Sequence, residues 1–483
     1  MRIISLFFIF LSVTTYAQNA PEPYGAIPSK RQLGWHDVEV YGLIHFTPTT
    51  FENKEWGFGD ADPKTFNPAN FDAEQIIAAA KAGGLKGIIL VAKHHDGFAL
   101  WPTKTTDYNI TKSPFRNGNG DLVKEVEQAV RKAGLKFGIY CSPWDRNNPL
   151  YGTDKYLAIY QAQLKELYGN YGELFMSWHD GANGGDGYYG GAREKRSIDN
   201  TTYYDWANTW GITRKMQPMA NIFSDIGLDI RWVGNEDGHA AETSWATFTP
   251  MPPKGKNVAV PGQANYPESP EGIRNGKFWM PAECDVPLRK GWFYHPTEKP
   301  KTPDMLFDLY LKSVGRGAGL DLGLAPDTRG QLHDDDVLAL KTFGEMVKKT
   351  FANNFAKNAN ITANNTRGKS YSVNKLIDNN KETYWATTDN NHTASLDINL
   401  KSPKTFDIVS LQEYIPLGQR IEAYNIEILE NNSWKKIYDG TSIGAKRLIK
   451  FDQPVTTNKV KINITQSPVC ITLSEIGLYK KSL

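Results

Sequence analysis

Short apolar segments alternate with amphipathic helical segments over the first two thirds of the chain, and this alternation limits the possible fold more than any other feature. The region runs from Val38 to about Ala325. Eight strands, each leading into a helix, are typical of a closed (β/α)8 barrel, for which about 250 residues is a usual length. The predicted strands are residues 40–46, 87–92, 137–141, 173–178, 220–223, 230–233, 291–294 and 320–324.

Two helix-to-strand junctions repeat the sequence Gly-Leu-Lys, at Gly84 and at Gly134. Glycine at this position commonly ends a helix in the left-handed conformation, and the apolar run after it is typical of a buried parallel strand. A doubly wound open sheet is the alternative parallel architecture. It is disfavoured because no Gly-x-Gly-x-x-Gly turn opens the first helix.

The pattern changes near residue 351, which predicts a second domain. An Asn-rich segment, residues 351–365, is predicted to be a linker. Residues 366–483 then contain short alternating strands separated by turns such as Asn431-Asn432, a pattern typical of a β-sandwich. The predicted fold class is therefore α/β, with a TIM-like barrel over residues 18–350 followed by an all-β sandwich.

The first 17 residues have the pattern of a signal peptide. Arg2 is followed by an apolar run over residues 3–13, and small residues precede Gln18. The run is too short to span a bilayer, so we predict no membrane insertion. We expect an exported protein, periplasmic or secreted. A formal net charge of +2 does not favour a nucleic-acid partner.

Polar and aromatic side chains stand where the predicted barrel strands end. In barrels of this class, function collects at the loops that follow the strands. Burying so many charged groups without partners would be costly, which favours a shared site over packing. These residues are His45, Glu55, Trp56, His94, His95, Tyr140, Trp178, Asp180 and Glu236. Glu283 and Asp285 lie in the loop before the seventh predicted strand and are counted with the same group.

Carboxylates beside aromatic side chains favour glycoside hydrolysis. One carboxylate attacks the anomeric carbon while another protonates the leaving oxygen. A metal site is disfavoured because the adjacent His94 and His95 would point to opposite faces of a strand. A serine triad is disfavoured because its Gly-x-Ser-x-Gly turn is missing from the sequence.

Several motifs make the barrel similar to one glycosidase family, the α-L-fucosidases of glycoside hydrolase family 29. The motifs are His45-Phe46, Lys93-His94-His95-Asp96-Gly97-Phe98 and Ser177-Trp178-His179-Asp180-Gly181. Two later motifs resemble the subgroup that acts on α-1,3/1,4-linked fucose. They are Asp229-Ile230-Arg231-Trp232-Val233-Gly234-Asn235-Glu236 and Gly291-Trp292-Phe293-Tyr294-His295-Pro296.

The last domain resembles the discoidin, or coagulation-factor type C, sandwich. The resemblance lies in Leu376-Ile377-Asp378-Asn379, Thr383-Tyr384-Trp385 and the ending Ser474-Glu475-Ile476-Gly477-Leu478-Tyr479. Such a sandwich suggests three roles: packing against the barrel, binding sugar, or holding a structural calcium ion. No cofactor or catalytic metal is expected.

The resemblance implies a retaining mechanism with Asp180 as the nucleophile that forms a covalent fucosyl-enzyme. Glu236 is the favoured acid/base, and Glu283 is its competitor. The remaining predicted substrate-binding residues are His45, Glu55, Trp56, His94, His95, Tyr140, Trp178, Arg231 and Trp292. The expected substrate is a fucosylated oligosaccharide or glycan. The alternatives are a glycan-binding protein without catalysis and a retaining glycosidase for another sugar.

Overall fold

The computed structural model describes residues 19–252, 254–263 and 267–482. The predicted signal peptide, residues 1–17, lies outside the described residues. Eight parallel strands form a closed barrel, each pairing with the next along the chain, and the eighth pairs with the first. The predicted barrel is confirmed. Its strands are Val40–Ile44 (β1), Gly87–Lys93 (β2), Lys136–Cys141 (β3), Met176–Trp178 (β4), Asn221–Ser224 (β5), Ile230–Trp232 (β6), Ala282–Pro287 (β7) and Gly319–Leu324 (β8).

The seventh strand is the one barrel strand that the sequence prediction misplaced. It is Ala282–Pro287, whereas residues 291–294 form part of the loop that follows it. Glu283 faces the barrel interior, where its carboxylate accepts hydrogen bonds, while Cys284 packs in an apolar cluster outside the barrel wall. A search for apolar runs misses such a strand because its interior face is acidic.

Helices cover the barrel unevenly. The α-helices of the described chain are Lys30–His36 (α1), Pro48–Phe51 (α2), Ala73–Ala82 (α3), Leu122–Lys132 (α4), Asp154–Asn170 (α5), Trp206–Met216 (α6), Pro303–Lys312 (α7) and Asp334–Phe351 (α8). Strands β5 and β6 are joined by residues 225–229 without a helix, and the described part of 233–281 forms no α-helix. That sector is walled by irregular chain and a short ribbon, Thr247–Phe248 with Phe278–Trp279.

The predicted helix ends are confirmed at both Gly-Leu-Lys sites. Gly84 has φ +82° and Gly134 has φ +75°, the left-handed conformation that glycine adopts without steric cost. The amide of Gly84 donates to the carbonyl of Lys81, which satisfies one of the last helical carbonyls. The chain then turns directly into the next barrel strand.

The second domain is a β-sandwich. Its strands are Asn360–Ala363 (β9), Trp385–Ala386 (β10), Ala394–Glu413 (β11), Ala423–Glu430 (β12), Ser433–Gly440 (β13), Arg447–Gln466 (β14) and Thr472–Tyr479 (β15). They pair in the order β10-β15-β11-β14-β12-β13, and β9 pairs with β11. Strand β9 lies inside the predicted linker, so the sandwich begins at residue 360. The strands β11 and β14 are longer than the short strands predicted for this domain, because the ladder between them continues through register shifts.

The sandwich contacts the barrel beside the N-terminal ends of β1 and β8. Lys446 forms an ion pair with Glu39, just before β1. The amide of Leu448 donates to the carbonyl of Gly315 at 2.8 Å. The backbone of Arg447 pairs with that of Arg316 in an isolated antiparallel β-bridge. The catalytic ends of parallel strands lie at the opposite side of such a barrel. No helix in the described ranges is long and apolar enough to cross a membrane.

Candidate active site

A cavity of about 500 Å³ opens at the C-terminal ends of the barrel strands. It brings together ten of the residues predicted from the sequence. They are His45, Glu55, Trp56, His94, His95, Tyr140, Trp178, Asp180, Glu236 and Trp292. Two predicted residues, Arg231 and Glu283, do not line this cavity. We call it the main cavity.

Asp180 follows β4 and has its carboxylate fixed by two donors. The phenol of Tyr140 donates to Oδ2 at 3.0 Å, and the backbone amide of Ala182 donates to Oδ1 at 2.6 Å. Nε2 of His95 lies 3.7 Å from Oδ2. Burial, and then the charge of Asp180, raises the pKa of Tyr140 well above its usual value, so its phenol stays protonated and donates. Asp180 keeps 23% of its side chain exposed, which leaves it open to a ligand.

Three buried histidines form one wall of the main cavity. The ring centroids of His45 and His94 lie 5.4 Å apart, and those of His94 and His95 lie 4.2 Å apart. The expectation that His94 and His95 point to opposite faces was wrong, because β2 ends at Lys93 and both lie beyond the alternating strand. Burial lowers the pKa of His45 to about 3 and also lowers that of His94 and His95. These rings are therefore neutral near pH 7 and suited to hydrogen bonding with hydroxyl groups.

Glu236 stands at the rim of the main cavity, four residues after the end of β6. Its pKa is raised, first by partial burial and then by the negative charges of Asp180 and Glu55. A hydrogen bond from the side chain of Trp292 opposes this increase. Asp180 and Glu236 thus lie in one cavity but in different surroundings. Such a difference allows one carboxyl group to act as an acid while another acts as a carboxylate.

Glu283 lies beneath the cavity instead of on its wall. Its side chain is fully buried, accepts a hydrogen bond from Nε1 of Trp178 at 2.7 Å, and also accepts one from the phenol of Tyr41. Burial raises the pKa of Glu283 to about 7, and Asp321 beside it is also fully buried with a raised pKa. This carboxyl group holds the indole that forms the cavity floor.

Arg231 also lies away from the cavity, which corrects its prediction as a substrate-binding residue. Its guanidinium is fully buried and donates to the backbone carbonyls of Ser269, Met280 and Trp245. Successive strand residues point to opposite faces. Trp232 faces the interior of the barrel, so Arg231 faces outward and fastens the irregular segment before β7.

Replacing Arg231 with leucine is expected to destabilise the fold. The change leaves three buried carbonyls without their donor, at a cost of about 3 kcal/mol or more. Thermal unfolding measures the effect, with Arg193→Leu, an exposed arginine paired with Asp60, as the matched control. An unchanged melting temperature together with a raised KM would instead support substrate contact by Arg231.

The loop after β7 closes one side of the main cavity and is held by Glu55. The carboxylate of Glu55 accepts hydrogen bonds from the backbone amide of Trp292 and from Nε2 of His295, the latter at 3.0 Å. Glu55 therefore positions the loop as well as lining the cavity. The Trp292 ring lies 5.2 Å from His45, and Trp56 makes an edge contact with His95.

The comparisons with known proteins agree with this geometry. A family model described as Alpha-L-fucosidase matches residues 24–351, which include every residue lining the main cavity. The chain belongs to the alpha-L-fucosidase family. A model described as F5/8 type C domain matches residues 360–476, so this fucosidase carries that domain as its sandwich.

Relatives resemble this fucosidase over nearly its whole length. Alpha-L-fucosidase 1 of Arabidopsis thaliana is 37% identical over 99% of this chain and 94% of its own. The crystal structure of SpGH29 superposes with a TM-score of 0.88 at 34% identity, covering 96% of this chain and all of that one. A Ruminococcus gnavus GH29 fucosidase in complex with fucose gives a TM-score of 0.86 at 30% identity, covering 96% and 97% of the two chains. The protein is therefore a glycoside hydrolase of this family.

Asp285 was expected at the barrel mouth without an assigned role, and it lines the fucosidase cavity from β7. Two further lining residues were not predicted from the sequence. Lys290 and Glu298 lie on the following loop, where no periodic pattern marks them. Within the described ranges no cluster of three or more His, Cys, Asp or Glu has a geometry that could hold a metal ion. The calcium ion considered for the sandwich stays a prediction.

Proposed function

We propose that this fucosidase-family enzyme removes terminal α-1,3/1,4-linked fucose from glycans with retention of configuration, using Asp180 as the nucleophile and Glu236 as the acid/base. The observation that carries the proposal is that the two carboxyl groups share one cavity with three neutral histidines. The linkage preference rests on the resemblance of the Glu236 and Trp292 motifs to the α-1,3/1,4-acting subgroup. We propose that the enzyme acts after export, on the basis of its first 17 residues.

In the first step, the Asp180 carboxylate attacks the anomeric carbon while Glu236 transfers its proton to the leaving oxygen. The carbon–oxygen bond to the leaving group breaks, and a fucosyl ester of Asp180 forms. In the second step, Glu236 takes a proton from water as that water attacks the anomeric carbon, which releases Asp180 and fucose. Tyr140 and the Ala182 amide hold the carboxylate in position for both steps.

The different surroundings of the two glutamates favour Glu236 over Glu283 as the acid/base. Glu236 lies at the rim, where a proton can reach it from solvent. Glu283 is fully buried under Trp178, and both of its carboxylate oxygens accept hydrogen bonds from neighbouring side chains. A group below the floor cannot reach a leaving oxygen above it.

The proposed function is tested by hydrolysis of an aryl α-L-fucoside, with the matching α-galactoside as the comparison. We expect turnover of the fucoside and, by proton NMR, release of α-L-fucose as the first product. Release of the β anomer first would contradict retention. Binding of fucose without turnover would support a glycan-binding protein, and faster turnover of the galactoside would support another sugar specificity.

A further inference from the structure

The chain that carries Glu236 has no helix to hold it against the barrel. The described part of residues 233–281, between β6 and β7, forms no α-helix, although a barrel of this class usually packs a helix on its wall at this point. Glu236 lies in the first turn of this irregular segment. The side chain of Asn235 closes that turn by accepting hydrogen bonds from the amides of Asp237 and His239. Other contacts must therefore hold the segment in place.

The barrel itself holds part of the segment that follows the turn. The amide of Ala240 donates to the carbonyl of Lys312, the last residue of α7, at 3.0 Å, and the guanidinium of Arg316 donates to the carbonyl of Ala240. Arg231, which points out of the barrel wall, donates to the carbonyl of Trp245 at 3.2 Å. The same stretch, residues 240–246, also contacts the sandwich.

Gln419 of the sandwich bonds the backbone of this stretch at two points. Its Nε2 donates to the carbonyl of Ser244 at 2.9 Å, and its Oε1 accepts from the amide of Ala246 at 2.8 Å. The reciprocal pair fixes the orientation of the side-chain amide, because the flipped group would place donor against donor. Gln419 is buried, so losing these bonds would leave two backbone groups without partners away from water.

Ser442 makes a third buried hydrogen bond to the same stretch. Its Oγ accepts from the amide of Ser244 at 2.8 Å. Arg447 fixes Ser442 in turn, because its guanidinium donates to both the Oγ and the carbonyl of Ser442 at 3.0 Å. The hydroxyls of Thr243 and Thr441 meet at 2.8 Å at the exposed edge of this contact. The sandwich thus bonds three consecutive backbone groups of the stretch and one side chain.

A small apolar cluster accompanies these hydrogen bonds. Ala246 and Trp279 of the irregular segment pack with Ile415 of the sandwich, and Ala445 lies at the edge of the cluster. Ile415 and Gln419 belong to the same sandwich loop. The contact therefore combines apolar packing with buried hydrogen bonds, which restrains residues 240–246 on the side that faces the sandwich.

This contact lies close to Glu236 along the chain. Glu236 is eight residues before Ser244 (244 − 236), and the turn between them is tightly packed. A Cβ at Gly238 would lie 2.8 Å from the side chain of Val286 on β7. A shift of residues 244–246 would therefore move the turn and the carboxyl group of Glu236. A proton donor must lie within hydrogen-bond distance of the leaving oxygen, so even a small shift reduces proton transfer.

We propose that the sandwich positions the acid/base: Gln419 and Ser442, by bonding the backbone of residues 244–246, hold Glu236 where it can protonate the leaving oxygen. The proposal rests on the proposed function, in which Glu236 is the acid/base. Gln419 and Ser442 are positioning residues, since neither lines the main cavity. The second domain thereby takes the place of the helix that this barrel lacks between β6 and β7.

Gln419→Met tests the proposal, because methionine has nearly the volume of glutamine but makes neither hydrogen bond. The test compares phenyl and dinitrophenyl α-L-fucosides, because phenolate needs a proton from the acid to leave and dinitrophenolate does not. We expect kcat/KM to fall about tenfold or more for the phenyl fucoside and to change less than about twofold for the dinitrophenyl fucoside. Ser442→Ala removes one of the three bonds and should show the same selectivity to a smaller extent. It serves if the methionine variant does not fold.

Lys446→Met is the matched control. It removes the ion pair between the sandwich and Glu39 and leaves residues 240–246 untouched. We expect a lower melting temperature and an unchanged ratio of the two rates, both measured well below the melting temperature of each variant. Equal losses on the two substrates in Gln419→Met and Ser442→Ala would overturn the proposal. A selective loss in Lys446→Met as large as that in Gln419→Met would also overturn it, because any loosening of the domains would then suffice.

A double variant shows whether Gln419 acts through Glu236. In Glu236→Ala, adding Gln419→Met should cause no further selective loss on the phenyl fucoside, because the group that Gln419 positions is absent. A further selective loss of about tenfold would overturn the proposal. A selective loss in Glu236→Ala but not in Gln419→Met would overturn the positioning role alone. Equal losses on both substrates in Glu236→Ala would contradict the acid/base of the proposed function, and the positioning role with it.

Discussion

Replacing Asp180 with alanine is expected to lower kcat/KM for every fucoside by about four orders of magnitude or more. In the proposed mechanism this carboxylate attacks the anomeric carbon, held by hydrogen bonds from Tyr140 and the Ala182 amide, and the substitution removes it. The loss should be independent of the leaving group, because both good and poor leaving groups need the same nucleophile. Initial rates on aryl fucosides of differing leaving-group pKa measure the effect.

Rescue by azide tests the nucleophile role of Asp180 more specifically. In the alanine variant a small anion can occupy the space of the missing carboxylate, and we expect partial rescue with formation of β-L-fucosyl azide. Asp186→Ala is the matched control, because Asp186 follows the same strand but is exposed and paired with Arg146. An Asp180→Ala enzyme that keeps more than a tenth of its activity on all substrates would remove Asp180 from the mechanism.

Replacing Glu236 with alanine is expected to have an effect that depends on the leaving group. Proton transfer contributes about 10²- to 10⁴-fold for a poor leaving group, such as a sugar, and little for a dinitrophenolate. The raised pKa of Glu236 keeps the carboxyl group protonated to higher pH than that of a glutamate in free solution. In the wild type, kcat/KM should therefore fall as the pH rises through this pKa, and the alanine variant should lose that basic limb.

Glu283→Gln is the comparison that separates the two candidate acids. Glutamine keeps an oxygen that can accept the hydrogen bond from Trp178, so we expect the basic limb of the pH profile to stay. If Glu283→Gln loses the basic limb of the pH profile and Glu236→Ala keeps it, Glu283 is the proton donor. Thermal unfolding of both variants checks that the barrel interior is intact.

The barrel and most of its cavity could be predicted because they follow from local patterns. Apolar runs that follow helix-ending glycines such as Gly84 predict parallel strands, and the C-terminal ends of parallel strands meet at one mouth of the barrel. His45, Tyr140 and Asp180 each lie within two residues of the end of a barrel strand. Their convergence therefore follows from topology alone.

The predictions that were wrong concern residues whose side-chain direction cannot be read from the sequence. Strand β7 was not predicted because Glu283 and Asp285 interrupt its apolar pattern. Both carboxyl groups face the interior of the barrel. Arg231 was assigned to the cavity, although one residue of strand alternation turns it to the opposite face.

The position of the sandwich affects how the barrel unfolds. Strands β1 and β8 are the first and last of the barrel, and Val40 pairs with Leu320 across the join. Bringing together segments so distant in sequence carries the largest loop-closure entropy in the domain. Lys446 and Arg447 of the sandwich contact Glu39 and Arg316 at the two sides of this join. We therefore expect the contacts of the second domain to stabilise the pairing of β1 with β8 and to slow the unfolding of the barrel.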